Sequence, residues 1–139
     1  MLTRALFFVL LICGVVSPAV AEDTKVLALG LADHEVTQTE LDKGAPPVPR
    51  FNSPAIAYVS AANLKKGDSV EITLSNTDEA LLINSETLAE DRAIYLLQAG
   101  KRGVPAGGWP SEWRYFAKLK IIRDGKPLIE QATTPIPFE

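Results

Sequence analysis

Histidine and cysteine occur once each among the 139 residues, and that scarcity removes whole classes of chemistry. A zinc peptidase, a zinc deaminase or a histidine-based hydrolase needs clustered His, Cys and carboxylate ligands, or a histidine beside a nucleophile. His34, in Asp33-His34-Glu35, is left as a weak metal ligand, a pH sensor or a solvated loop residue. Three adjacent residues cannot all point at one ion from an extended chain, so the solvated reading is preferred. A phosphate loop is missing too, because Gly100-Lys101-Arg102-Gly103 lacks the spacing and the following Lys-Ser/Thr that cradle phosphates. The carboxylate pairs Asp78-Glu79 and Glu90-Asp91 sit in turn-like contexts, where acidic residues ordinarily serve solubility. No catalytic residue, metal or cofactor is implied, and the chain is read as a non-enzyme.

The N-terminus has the marks of a secretory signal peptide. Arg4 is followed by an uncharged apolar stretch from Ala5 to Val16, a break at Ser17-Pro18, and Ala19-Val20-Ala21 before Glu22-Asp23. Cleavage is expected after Ala21, giving a leader over 1–21 and a domain over 22–139. A retained anchor needs roughly 18–20 apolar residues, and Pro18 ends this stretch sooner. A lipoprotein signal wants a small residue directly before the cysteine, whereas Ile12 precedes Cys13. Removing 21 of 139 residues leaves 118, enough for one domain with a real core. Of the 14 basic residues only Arg4 leaves, so 13 remain against 17 acidic, a formal charge of −4. An acidic chain has no electrostatic footprint for nucleic acid. Without cysteine, its stability comes from packing in a periplasmic or secreted setting that would permit disulfides.

Beyond Thr24 the apolar pattern has the period of strands. Seven runs, near 24–32, 53–62, 69–76, 80–88, 92–100, 113–123 and 126–136, are separated by Gly, Pro, Asn and Asp. In the sixth, Trp113, Tyr115, Ala117, Leu119 and Ile121 fall on one face and Arg114, Lys118 and Lys120 on the other. Val70, Ile72 and Leu74 alternate with Glu71, Thr73 and Ser75 after a Lys66-Gly67-Asp68 turn. Asp124-Gly125 suits a two-residue hairpin with positive φ at both positions, so the sixth and seventh strands should pair antiparallel. Segments 33–52 and 101–112 resist strands because of their Pro and Gly content. Residues 35–43 tolerate one or two helical turns, and Ser85 to Arg92 would tolerate one. The last segment, Ala132 to Glu139 with Pro135 and Pro137, reads as an edge strand or an extended tail.

The fold class these features indicate is all-β, a single antiparallel β-sandwich. Strand two, the Leu64-Lys65-Lys66-Gly67-Asp68 turn, the alternating strand after it and an aromatic-rich strand closing on Asp124-Gly125 together resemble an immunoglobulin-like or fibronectin type III-like domain. Such domains carry a buried tyrosine at the start of the sixth strand, where this chain has Trp113 and Tyr115. Pro105 to Pro110 ahead of an aromatic strand is also similar to accessory sandwich domains of exported bacterial envelope proteins. That likeness assigns no residue a role.

If every strand crosses the sandwich once, the connection before strand two and the one after strand five lie four crossings apart and emerge at one pole. Arg50 and Phe51 would then stand near Lys101, Arg102, Trp109 and Pro110, a mixture suited to partner binding. The alternative is that Trp109 and Phe51 plug the end of the core. The expected function is a binding or accessory domain that recognises a protein or cell-envelope component through loops 42–52 and 101–112. A protease-inhibitor-like domain presenting 101–112 and a structural or chaperone-like envelope subunit are the alternatives.

Overall fold

The computed structural model describes residues 23–139, so the expected leader lies outside the described residues. Among these residues seven strands and one short helix run in the order β1 (Lys25–Ala32), α1 (Gln38–Lys43), β2 (Ala55–Leu64), β3 (Ser69–Asn76), β4 (Ala80–Thr87), β5 (Arg92–Lys101), β6 (Tyr115–Arg123) and β7 (Lys126–Ala132). The strands form two antiparallel sheets, one ordered β1-β2-β5 and the other β4-β3-β6-β7. The all-β sandwich read from the sequence is therefore the observed architecture. The β6–β7 hairpin turns at Asp124 (φ 55) and Gly125 (φ 77), as its Asp-Gly pair requires. Ser85 to Thr87 continue β4 rather than forming a helical turn, and β6 begins at Tyr115, leaving Trp113 in the preceding loop.

The two sheets meet through residues of complementary size. Sheet one contributes Ala55, Ala57, Val59 and Ala61 from its central strand, and sheet two contributes the larger Val70, Ile72 and Leu74 of β3 and Tyr115, Leu119 and Ile121 of β6. Small side chains on one sheet let the other's bulk interdigitate at interior packing density.

β2 is buried on its outer face as well, and the cover comes from its own chain. The segment after β1 crosses that face, where Val36, Ala32 and Tyr58 form a second cluster with Leu41 and Leu96. Gln98 of β5 holds it in place, its Oε1 accepting from Val36 N at 2.8 Å and its Nε2 donating to Val36 O at 2.9 Å. Gln38 of α1 accepts from the Ser60 hydroxyl at 2.8 Å. The side chains of Tyr58 and Ile56 cover Gly30 and Gly100. A Cβ at Gly100 would fall 2.1 Å from Ile56 Cδ1, and one at Gly30 would fall 2.6 Å from Tyr58 Oη. α1 starts with a capping box: Glu40 N donates to the Thr37 hydroxyl, and the Glu40 carboxylate accepts from Thr37 N.

At the pole opposite the long loops, Asp68 is fully buried and accepts from Arg123 Nε (2.8 Å), Arg123 Nη2 (2.7 Å) and Lys65 N (2.8 Å). Arg123 Nη2 also donates to the Thr24 hydroxyl, which donates to Asn63 O. This network ties the start of β1 and the β2–β3 turn to the end of β6. Arg123 holds the Asp68 carboxyl below the usual carboxylate range. On one flank the edges of the two sheets are joined by Asn84 Nδ2 donating to Gln98 O and by a Tyr95–Glu86 hydrogen bond.

Candidate functional site

The antiparallel pairing of β2 with β5 sets Ala55 beside Lys101, so the connection entering β2 and the one leaving β5 meet at one pole. The first part of 33–54 is the cover of sheet one. The second part turns at Arg50–Ser53, where Arg50 N donates to the Ser53 hydroxyl at 2.8 Å. The loop after β5 docks on it through the backbone: Trp109 N donates to Phe51 O at 2.7 Å, and Trp109 Nε1 donates to Ser53 O at 2.9 Å. Gly108 makes this approach possible. Its φ is +86, and a Cβ there would lie 2.7 Å from the Phe51 ring and 2.8 Å from Phe51 O.

Beneath the junction is an aromatic plug. Trp109 is 5% exposed and meets Tyr115 and Phe138 edge-on, with both pairs of ring centroids 5.8 Å apart. Tyr115 and Phe138 stack at 4.0 Å. The Tyr115 hydroxyl donates to Pro110 O at 3.1 Å, a bond from the start of β6 to the backbone five residues upstream. The last residues are part of the plug rather than a free tail. Ile136 exchanges two backbone hydrogen bonds with Tyr115, Phe138 is buried, and Glu139 O accepts from Phe51 N.

The residues singled out from the sequence thus divide. Arg50, Phe51, Trp109 and Pro110 come together, with Trp109 facing the core and Phe51, 43% exposed, facing outward. Arg102, its side chain 79% exposed, reaches back to Glu35 with Nη2–Oε2 at 2.7 Å, linking the loop to the cover of sheet one. Lys101 enters through its backbone pairing with Ala55. Val48 and Val104, one in each of the two loops, are exposed. Two grooves of about 340 Å³ each open at this pole. One lies between Val48, Arg50, Pro137 and Glu139. The other is more apolar, between Leu81, Leu82, Pro105, Pro110 and Trp113. The contribution of β4 and of the chain end to these walls was missed in the sequence, because a loop-by-loop reading does not show which strand flanks a loop.

His34 is not a loosely solvated side chain. Its Nδ1 lies 2.6 Å from Asp33 Oδ1 and its Nε2 lies 2.6 Å from Glu40 Oε2, so an imidazolium donates to both. The hydrogen bonds it donates to Asp33 and then to Glu40 raise its pKa, and His34 in turn lowers that of Glu40. The carboxylates occupy opposite ring nitrogens, so this arrangement clasps the loop to α1 and does not present three ligands to one ion.

Comparison with protein-family models and with curated proteins finds no match to the chain.

Proposed function

We propose that the chain is an exported, non-enzymatic binding domain, delivered as residues 22–139 to the periplasm or the exterior, that recognises a protein or cell-envelope component through the pole built by 42–52 and 101–112. The observation that carries this reading is the locking of the two loops. Trp109 ties both backbones together from below, while Val48, Arg50, Phe51, Arg102 and Val104 stand outside. A partner meeting this surface orders little new backbone, which lowers the entropic cost of association. Apolar and Arg side chains on a fixed frame are the composition of interface hot spots. A negatively charged partner segment suits the guanidinium group of Arg50, while that of Arg102 is paired with Glu35.

The immunoglobulin-like or fibronectin type III-like resemblance belongs to the same proposal. It is supported by the Tyr115–Pro110 corner bond and by the three-plus-four strand arrangement. β4 lies beside β3 rather than in the sheet of β5, which separates this order from that of constant-type immunoglobulin domains.

The test is affinity capture from the native envelope with the protein and with Phe51→Ser/Arg102→Glu, both sites being outside the core. Loss of one specific partner in this variant, but not in a Lys66→Glu control at the other pole, is the expected outcome. Equal capture by parent and variant removes the site from the proposal.

A further inference from the structure

The outer face of the four-stranded sheet carries a groove of about 390 Å³ that starts at the β3–β4 turn and is lined by no residue of 42–52 or 101–112. Its floor is the outward side of β3. Thr73 and Ser75 line it, each only 6% exposed, and neither hydroxyl has a hydrogen-bond partner among the described residues. The groove is open to solvent, so these hydroxyls are within reach of water in the free protein, and a ligand's polar groups can take the place of that water.

Cross-strand neighbours define the walls. Glu71 lies beside Lys120, Thr73 between Lys118 and Ile83, and Ser75 between Phe116 and Ala80. The register of β4 slips between Leu74 and Ser75. The residue skipped, Leu81, packs against the core, so small Ala80 is left beside Ser75 and the groove stays open there. Bulges commonly re-aim a side chain in this way next to binding sites.

We infer that this groove binds an uncharged carbohydrate of one or two sugar rings. The floor offers two free hydroxyls. The rim offers carboxylate acceptors at Glu71, Asp78 and Glu79 and ammonium donors at Lys118 and Lys120. A small anion would face the carboxylates and a small cation the ammonium groups. A polyol suits both, donating to one set and accepting from the other. Ile83, 59% exposed, and Phe116 supply an apolar surface for the C–H face of a sugar ring. The volume lies within the usual range for small-molecule sites, roughly 300–1,000 Å³.

The test is NMR titration of the purified protein with cellobiose, maltose and N,N′-diacetylchitobiose, and separately with inorganic phosphate and a serine tripeptide. At least one sugar should give saturable amide shifts at 71–77 and 116–120, with a dissociation constant near the millimolar range. Thr73→Val/Ser75→Ala should weaken that binding roughly tenfold, two hydrogen bonds being lost, and should melt no lower than the parent. Ile83→Ser, outside the core, should weaken it as well. No saturable response to any of the three sugars overturns the inference. So does a response to phosphate or the tripeptide alone, sugar binding unchanged in the double variant, or a lower melting temperature of that variant, which would mark the hydroxyls as structural.

Discussion

Replacing Arg123 by Met would strand Asp68. In the parent its carboxylate is fully buried and receives two hydrogen bonds from the guanidinium and one from Lys65 N. Arg123→Met keeps the aliphatic stem and leaves a buried charge with one backbone donor. Breaking a buried pair from one side costs about 3–5 kcal/mol, a large share of the 5–15 kcal/mol or so that a domain of this size holds. The melting temperature should fall by roughly 12–20 °C. The loss should also depend on pH. In the parent the Asp68 pKa is depressed, so the pair's contribution is complete above the unfolded carboxyl value near about 3.9 and is lost as pH falls through the folded value. In the variant, burial without the guanidinium raises the Asp68 pKa, and the variant gains relative stability on protonation. Urea denaturation of both proteins at about pH 7 and pH 4 should show the gap narrowing in acid. A difference below about 1 kcal/mol at neutral pH, or one equal at both pH values, would show that the guanidinium does not hold a buried Asp68 charge.

Tyr115→Phe removes only the corner bond to Pro110 O and should cost about 1 kcal/mol in chemical denaturation with the core intact. Trp109→Ala opens the plug and removes the bond to Ser53 O. A loss of about 3–5 kcal/mol is expected, with faster hydrogen exchange in residues 50–53. His34, its pKa raised, clasps the 33–44 cover most firmly below the ordinary imidazole value, and the clasp weakens as pH rises through the raised one. Exchange at the Val36 amide should therefore accelerate with pH beyond its intrinsic rate, and should not do so in His34→Gln. Gly100→Ala drives a Cβ into Ile56 and should destabilise by about 1–3 kcal/mol, while the equivalent change at exposed Gly103 should leave the melting temperature within a degree or two, as surface substitutions usually do.

Most of the sheet architecture was legible because period-two alternation and Asp124-Gly125 are local signals. The pole was legible from counting crossings, and the β2–β5 register places both loops there. Three features were not. The cover over sheet one depends on Gln98 meeting Val36, residues far apart in sequence. Its one local trace was Thr37-Gln38-Thr39-Glu40, a capping-box spacing. Phe138 looked like part of a tail because Pro135 and Pro137 flank Ile136, yet the chain returns to seal the core. Thr73 and Ser75 looked like ordinary outward residues of a half-wet strand. Only the neighbouring strands reveal that they are buried.

On the proposed function, the pole of 42–52 and 101–112 is the surface a partner meets. A photo-crosslinking residue placed in turn at Phe51, Val104, Lys66 and Asp124, with the protein in its native compartment, tests it most directly. Adducts to one common partner are expected from positions 51 and 104 and none from 66 and 124. The same adduct from the opposite pole, or adducts from that pole alone, would contradict it.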